Sequence, residues 1–302
     1  MTYPHTLSLF PDPSLTIEPR PTKLGRVDVG YAPARDILTR ASGFMDAYDF
    51  TLNPYAGCSF GCTYCYAAFF SHDAEKRHHW GLWVDVKENA IERLRSHRRS
   101  LDGKLIYMSS VTDPYQPIER QLNLTRGLLE ILARRRPKLV VQTRSPDVLR
   151  DVDLFRQIVN RGGRVQVNMT ITTDDEDIRR TFEPFCPGNP VRLDAARELA
   201  ASGVQTCVTM TPLLLVRDPG KFAEDLSKTG VKDFIVQPFH FQRGRFIANT
   251  RDAAIHIMVQ KLSSDSQAFR EAYLQHYRNV REVLQRTLPK LGEGKDGFRP
   301  PF

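Results

Sequence analysis

Three cysteines fall within eight residues, Cys58, Cys62 and Cys65, with three residues between the first two and two between the second pair. Thiols crowded so closely bind metal or carry redox chemistry where the compartment is reducing. The whole chain holds five cysteines, an odd number unsuited to a disulfide framework, and Met1 to Pro21 shows no basic segment followed by an apolar run. A cytoplasmic, reducing setting is therefore expected. Ligand counting narrows the metal. A structural zinc ion takes four ligands. Here only three cysteines are local, Cys186 and Cys207 stand alone, and His78-His79 is an adjacent pair poorly spaced for one tetrahedral ion. Thiolates are the usual ligands of iron–sulfur clusters, and three of them on a four-iron cluster leave one iron without a protein ligand. An open position of that kind is where a substrate or cofactor binds.

The elements that must position these thiols can be read from the apolar pattern. A chain of 302 residues, 41% of them hydrophobic, can bury a sizeable core. Short apolar runs at Tyr48–Leu52, Leu105–Met108, Leu139–Val141, Val165–Ile171, Val204–Met210 and Phe234–Val236 read as strands. Between them, helical spacing shows in Ile91 with Leu94, in Leu128, Leu129 and Leu132, and in Phe155, Ile158 and Val159. It continues in Leu193, Ala196 and Leu199, then Phe222 and Leu226. Alternation of this kind implies parallel strands joined by right-handed crossovers. The expected fold class is α/β, a partial (βα)6 TIM-type barrel over residues 46–240. Ahead of it, residues 1–45 form an arm with six prolines among the first 33 residues, expected to be extended and non-helical, a strap over the surface. Behind it, residues 241–302 read as a helical C-terminal extension. There Phe269, Tyr273, Tyr277, Val280 and Leu284 share one apolar face that packs on the barrel. No stretch is long enough to span a bilayer, so no membrane partner is expected.

In a barrel of parallel strands, chemistry collects at the carboxyl ends, where the βα loops converge. The cysteine loop follows the first strand, Ser109 to Asp113 the second, Thr143-Arg144-Ser145 the third and Thr170 to Thr173 the fourth. Each has a plainer reading as well. Ser109 and Ser110 can simply end a strand, Arg144 can be a solvated charge, Thr170 is favoured in any strand, and Tyr64 and Tyr66 can be core aromatics. The acids Asp174 to Asp177 fit a helix N-terminus better than a divalent ion. Cys207 reads as core.

Cys58-x-x-x-Cys62-x-x-Cys65, with Tyr64 just before the last cysteine, resembles the cluster motif of the radical S-adenosylmethionine (SAM) enzymes. The flanking Asn53-Pro-Tyr-Ala-Gly-Cys58 and Tyr64-Cys-Tyr66-Ala resemble the DNA repair photolyase-like branch related to spore photoproduct lyase. Further matches are Ser109-Ser-Val-Thr-Asp-Pro-Tyr-Gln-Pro117, Gln142-Thr-Arg-Ser145, Thr170-Ile-Thr-Thr173, Glu183-Pro184 and the ending from Gly292 to Phe302. The resemblance implies a [4Fe-4S] cluster on Cys58, Cys62 and Cys65, with SAM chelating the open iron. An electron from an external donor such as flavodoxin or ferredoxin would then cleave SAM to methionine and a 5′-deoxyadenosyl radical, which abstracts hydrogen from the substrate. It places the backbone near Tyr64 against the adenine, Ser109 and Ser110 at the methionine amino group, Arg144 at its carboxylate and Thr170 at the ribose.

Two departures stand out. Spore photoproduct lyases of the better-known type carry a hydrogen-donating cysteine after the second strand, where this chain has Ser110, and a serine O–H bond is far too strong for that task. Cys186, in Phe185-Cys-Pro-Gly188, is the substitute hydrogen-donor candidate. The loop Thr211 to Arg217 also lacks the second proline and the glycine usual there.

A formal net charge of +8 and a pI near 9.3 permit a nucleic-acid partner through phosphate contacts, with the densest runs at Arg95 to Arg99 and Arg134 to Lys138. Both runs also suit helix C-termini. The leading function is a radical SAM enzyme, with repair or modification of a nucleic-acid base as the substrate reading. The rivals are radical chemistry on a small molecule or protein, and a non-enzymatic metal-binding module.

Overall fold

All six strands expected from the apolar runs are present in the computed structural model, which describes residues 20–241, 250–262 and 268–302. The strands, in chain order, are β1 (Lys23–Leu24), β2 (Val27–Ala32), β3 (Leu38–Arg40), β4 (Phe50–Leu52), β5 (Tyr55–Gly57) and β6 (Trp83–Lys87). They continue with β7 (Leu105–Met108), β8 (Lys138–Thr143), β9 (Arg164–Thr170), β10 (Gln205–Met210), β11 (Asp233–Val236) and β12 (Leu291–Glu293). The larger sheet runs β12-β11-β10-β9-β8-β7-β4-β3. Every neighbouring pair in it is parallel except β3 with β4. Its two edge strands do not pair with each other, so this is a partial TIM-type barrel that stays open.

The alternation of side chains along each strand separates two environments. Leu139 and Val141 of β8, with Val165, Val167 and Met169 of β9, join the main core. There they meet Leu128, Leu129, Phe155, Ile158, Ala196, Leu199, Phe222 and Leu226 from the helices between strands. The opposite face of the same strands carries Tyr107, Gln142, Asn168, Thr170 and Thr209, which hydrogen-bond to one another. At the amino end of this concave face Val140, Tyr107 and Tyr48 pack with Phe298 and Phe302 of the C-terminal segment, and the Tyr48 hydroxyl donates to the Phe298 carbonyl at 3.1 Å.

The acidic run after β9 works as a cap. Asp175 accepts from the backbone of Asp177 and Ile178 to start the helix Glu176–Phe182, and Asp174 accepts from the backbone of Arg217 and Asp218. The expected C-terminal helix is Ala268–Thr287, and Phe269, Tyr273, Tyr277, Val280 and Leu284 are all buried along its inner face. Among the described residues no helix is long and apolar enough to cross a membrane.

The arm differs from a surface strap. Residues 1–19 lie outside the described residues, but β1 and β2 join β6 and β5 in a second sheet ordered β1-β2-β6-β5, and Val27 and Val29 of β2 enter the main core. A short Val-x-Val alternation is enough to bury one face once β6 offers a parallel edge. This sheet matters to the site because β5 leads directly into Cys58.

Gly57, the last residue of β5, has φ +76°, and a Cβ there would meet the Trp83 carbonyl oxygen at 2.6 Å and its ring at 2.7 Å. Gly103 has φ +68° with nothing within 4 Å. Gly103→Ala is therefore expected to cost only the left-handed backbone penalty of about 1–2 kcal/mol. Gly57→Ala should add an overpacking cost of about 1–3 kcal/mol. Urea midpoints of the two variants compare them directly, and equal losses would show that β6 yields freely at Trp83.

Candidate metal centre

The cysteine loop leaves β5 and winds through two tight turns, with the Gly61 amide donating to the Cys58 carbonyl at 3.2 Å and the Cys65 amide to the Cys62 carbonyl at 3.1 Å. Cys58 and Cys62 are buried and Cys65 is half-buried. The segment after β7 holds this loop in place. Thr112 Oγ1 donates to the Gly57 carbonyl at 2.6 Å, and Gln116 Oε1 accepts from the Ser59 amide at 2.9 Å while its Nε2 donates to Thr112 Oγ1. Asn53 ties in the same segment, accepting from the Val111 amide at 3.1 Å and donating to Ser110 Oγ at 3.4 Å. The run from Ser109 to Pro117 thus works chiefly as a clamp on the thiol loop.

The thiols sense one another. Burial pushes the Cys58 thiol well up, reinforced by the charges of Asp113, Cys62 and Cys65. Burial and Cys62 push Cys65 up to about 12. Cys62 alone is lowered, by a hydrogen bond with Cys186 and, against burial, by the charge of Arg144. Three sulfurs whose negative charges oppose each other in a buried pocket need a cationic group between them to ionise together. The donor set therefore fits an iron–sulfur cluster, whose ligands are thiolates. Among the described residues no three His, Cys, Asp or Glu side chains converge tightly enough for a single ion.

Across the rim, Arg144 follows β8. Its backbone amide donates to Asp113 Oδ2 at 2.9 Å, and its guanidinium donates to the Tyr64 hydroxyl at 2.8 Å and lies 3.2 Å from Glu183 Oε1. It is a largely buried, partnered cation and not a solvated one. Glu183 is the centre of this group. Its Oε1 accepts from the Tyr64 hydroxyl and from Thr172 Oγ1, and its Oε2 lies 2.6 Å from Arg192 Nη2, close but not aligned as a hydrogen bond. Arg192 in turn donates to the Pro187 carbonyl at 2.8 Å and the Thr170 carbonyl at 3.3 Å. Burial would raise the Glu183 carboxyl. The charges of Arg192 and Arg144, with the bonds from Tyr64 and Thr172, hold it down to about 2.

Ser109 adopts φ +71°, unusual for a residue with a side chain, and its buried hydroxyl has no hydrogen-bond partner. An unsatisfied buried donor beside the thiol loop suits a ligand that would complete it. Ser110 is tied up differently, its hydroxyl accepting from Asn53 and its carbonyl from the Tyr66 hydroxyl. Thr170 Oγ1 accepts from Gln142 Nε2 at 2.8 Å and shares a 3.1 Å bond with Thr209. It faces the concave side beneath the rim.

Cys186 lies on the other flank of the loop, its sulfur 3.5 Å from Cys62 Sγ and 3.8 Å from the Phe60 carbonyl. Cys207 is buried within β10. Trp80 packs edge-on against Trp83 with centroids 5.9 Å apart, whereas His78 and His79 before it are exposed. The residues that local pattern missed are Glu183, Arg192, Gln116 and Gln142. Glu183-Pro184 is visible in the sequence as a match to the family, but its partner Tyr64 lies 119 residues away.

A profile of the Radical SAM superfamily matches residues 52–228, more than half of the chain, and the chain belongs to that superfamily. An uncharacterized protein of Methanocaldococcus jannaschii is 36% identical over 167 residues, 55% of this chain and 60% of that protein. An uncharacterized protein of Acidianus two-tailed virus is 29% identical over 186 residues, 59% of each. The chain thus spans about 60% of the length of the curated relatives it matches. Among solved structures, a spore photoproduct lyase mutant with bound AdoMet and dinucleoside spore photoproduct superposes with a TM-score of 0.59 at 14% identity, covering 88% of this chain and 81% of that one. Spore photoproduct lyase complexed with the dinucleoside spore photoproduct gives a TM-score of 0.55 at 13% identity over the same shares. At such identity the likeness is one of fold.

Because the Glu183 pKa falls from the ordinary 4.5 to about 2 on folding, its charge stabilises the fold above pH 4.5. That contribution, about 3 kcal/mol, is lost as pH drops through 4.5 towards 2. Glu183→Gln should lower stability at pH 7 by about 3–5 kcal/mol by leaving two guanidiniums without their anion. It should also flatten the acid limb. Urea unfolding of both proteins from pH 2 to 7 tests this, and parallel curves would remove Glu183 from its central place.

Proposed function

We propose that the chain holds a [4Fe-4S] cluster on Cys58, Cys62 and Cys65 and cleaves SAM reductively to a 5′-deoxyadenosyl radical that abstracts hydrogen from a substrate. The observation that carries this is the gathering of three mutually opposing thiols in the loop after β5 beside an unsatisfied Ser109 hydroxyl after β7, in a chain of this superfamily. When bound, the cluster supplies the electron for SAM cleavage, which an external donor such as a flavodoxin or ferredoxin replenishes.

The chain's own residues bind and orient. Arg144, kept cationic beside Glu183 and Tyr64, offers a guanidinium to the SAM carboxylate. Ser109 and Ser110 stand at the amino group, and the buried Tyr64 backs the thiol loop next to the adenine. Thr170, with Gln142 and Thr209, gives the ribose a polar floor. Repair or modification of a nucleic-acid base is the substrate reading, supported by the fold likeness to spore photoproduct lyase and compatible with the net charge of +8. Ser110, with no thiol to return a hydrogen atom, sets this chain apart from thymine-dimer reversal by the better-known route.

Anaerobic reconstitution with iron and sulfide should give a reducible cluster and, with SAM and a strong reductant, 5′-deoxyadenosine, both lost in Cys58→Ala. Tight zinc without iron, or no 5′-deoxyadenosine, would sink the enzyme reading. Irradiated DNA should stimulate turnover, whereas a flat response to every nucleic acid favours a small molecule or protein. Arg144→Met should weaken SAM binding about tenfold to a hundredfold, with Arg144→Lys retaining most of it. Equilibrium dialysis of the reconstituted protein reads the difference, and unchanged affinity would move the carboxylate elsewhere.

A further inference from the structure

Cys186 belongs neither to the thiol loop nor to the concave face, yet it is placed firmly. Its amide donates to the Glu183 carbonyl at 3.2 Å and its carbonyl accepts from Arg179 Nη1 at 2.9 Å, while the same guanidinium nitrogen donates to the Glu183 carbonyl at 3.0 Å. This turn holds the Cys186 sulfur 3.5 Å from that of Cys62. A disulfide needs about 2 Å, so the two sulfurs have roughly 1.5 Å to close. Cys186 also lines a groove of about 380 Å³, together with Phe60, Pro117, Phe185, Pro187 and, after β8, Ser145. The groove gives a small oxidant a place to meet Cys186.

We propose that Cys62 and Cys186 form a reversible disulfide in the cluster-free protein, so that oxidation withdraws one cluster ligand and closes the site to iron until the bond is reduced. This rests on Cys62 as a cluster ligand. The oxidant is a small disulfide such as glutathione disulfide. The Cys186 sulfur attacks it and releases one glutathione. The Cys62 sulfur then displaces the second glutathione from Cys186, forming the Sγ–Sγ bond. The two protein thiols lose two electrons and two protons, and one glutathione disulfide becomes two glutathiones.

The test uses full-length apoprotein, reduced and chelated under argon, then equilibrated with glutathione at graded disulfide ratios, trapped with N-ethylmaleimide and mapped as peptides by mass spectrometry. The expected product is a linked pair of the Cys62 and Cys186 peptides with Cys58, Cys65 and Cys207 alkylated. The link should be absent in Cys186→Ala and in iron-loaded protein. Iron uptake by the oxidised wild type should fall at least tenfold and return after dithiothreitol. Cys186 remaining alkylated at the most oxidising ratio, Cys62 pairing instead with Cys58 or Cys65, or undiminished iron uptake by the disulfide form would each overturn the proposal. The peptide map needs no iron. A linked pair in a protein that never loads iron after reduction counts against the cluster reading and not against the thiol pair.

Discussion

A carboxylate buried between two guanidiniums organises the carboxyl-end rim. Glu183 takes Arg144 from the end of β8, Arg192 from the helix Asn189–Ala201, Tyr64 from the thiol loop and Thr172 from the segment after β9. Burying these charges is costly, and the network is tolerable because Oε1 accepts two hydrogen bonds and Oε2 lies against the Arg192 guanidinium. The consequence is geometric. Arg144 cannot swing out to solvent without leaving Glu183 exposed to Arg192 alone, so a cation is kept beside the cysteine loop whether or not an anionic ligand is present. That is preorganisation of the kind that makes an electrostatic contact effective.

The second constraint is the clamp from Ser109 to Pro117. Asp113 accepts from Thr143 Oγ1, from the Arg144 amide and from the Tyr115 amide, while Thr112 and Gln116 hold Gly57 and Ser59. One short segment therefore fixes the spacing between the thiol loop and the Arg144 loop. The left-handed backbone at Ser109 begins this segment immediately after β7, and it leaves the Ser109 hydroxyl pointing into a buried space with nothing to bond. Strain and an unsatisfied donor at the same residue are what a ligand-binding position shows before its ligand arrives.

The parallel strands were legible because each is a run of branched and aromatic side chains bounded by turn residues, and burial on both faces writes itself into such a run. Tyr48–Leu52 shortened to β4 and Leu139–Val141 lengthened to β8, the usual uncertainty at element ends. The side sheet was not legible. Its strands are two to six residues long, rich in Gly and Asp, and gain their stability from pairing with β6, which no local pattern reports. The same limit applies to the site. Cys58, Cys62 and Cys65 announce themselves by spacing, whereas Glu183 is defined by partners from four separate segments, and Cys186 meets Cys62 across 124 residues.

Charge illustrates how position changes a compositional inference. The two densest basic runs lie at the amino ends of the strands: Arg134 to Pro137 enter β8, and Arg95 to Arg99 stand in the approach to β7. They are also interlocked, with Arg135 donating to the carbonyls of His97 and Arg95 and Arg136 paired with Asp102. The thiols open at the carboxyl ends. A polyanion held by these runs would lie across the far rim, about a strand's length from the chemistry. Among the described residues, the cations near the thiols are fewer and committed: Arg144 to Glu183, and Arg251 to the Arg77 carbonyl within electrostatic reach of Cys65. What is exposed there is aromatic, with Phe69, Phe70 and Tyr66 standing beside the loop and the Tyr66 hydroxyl on the Ser110 carbonyl. Such a surface stacks on flat groups more readily than it grips phosphates. The net charge of the chain therefore does not by itself indicate what this surface meets.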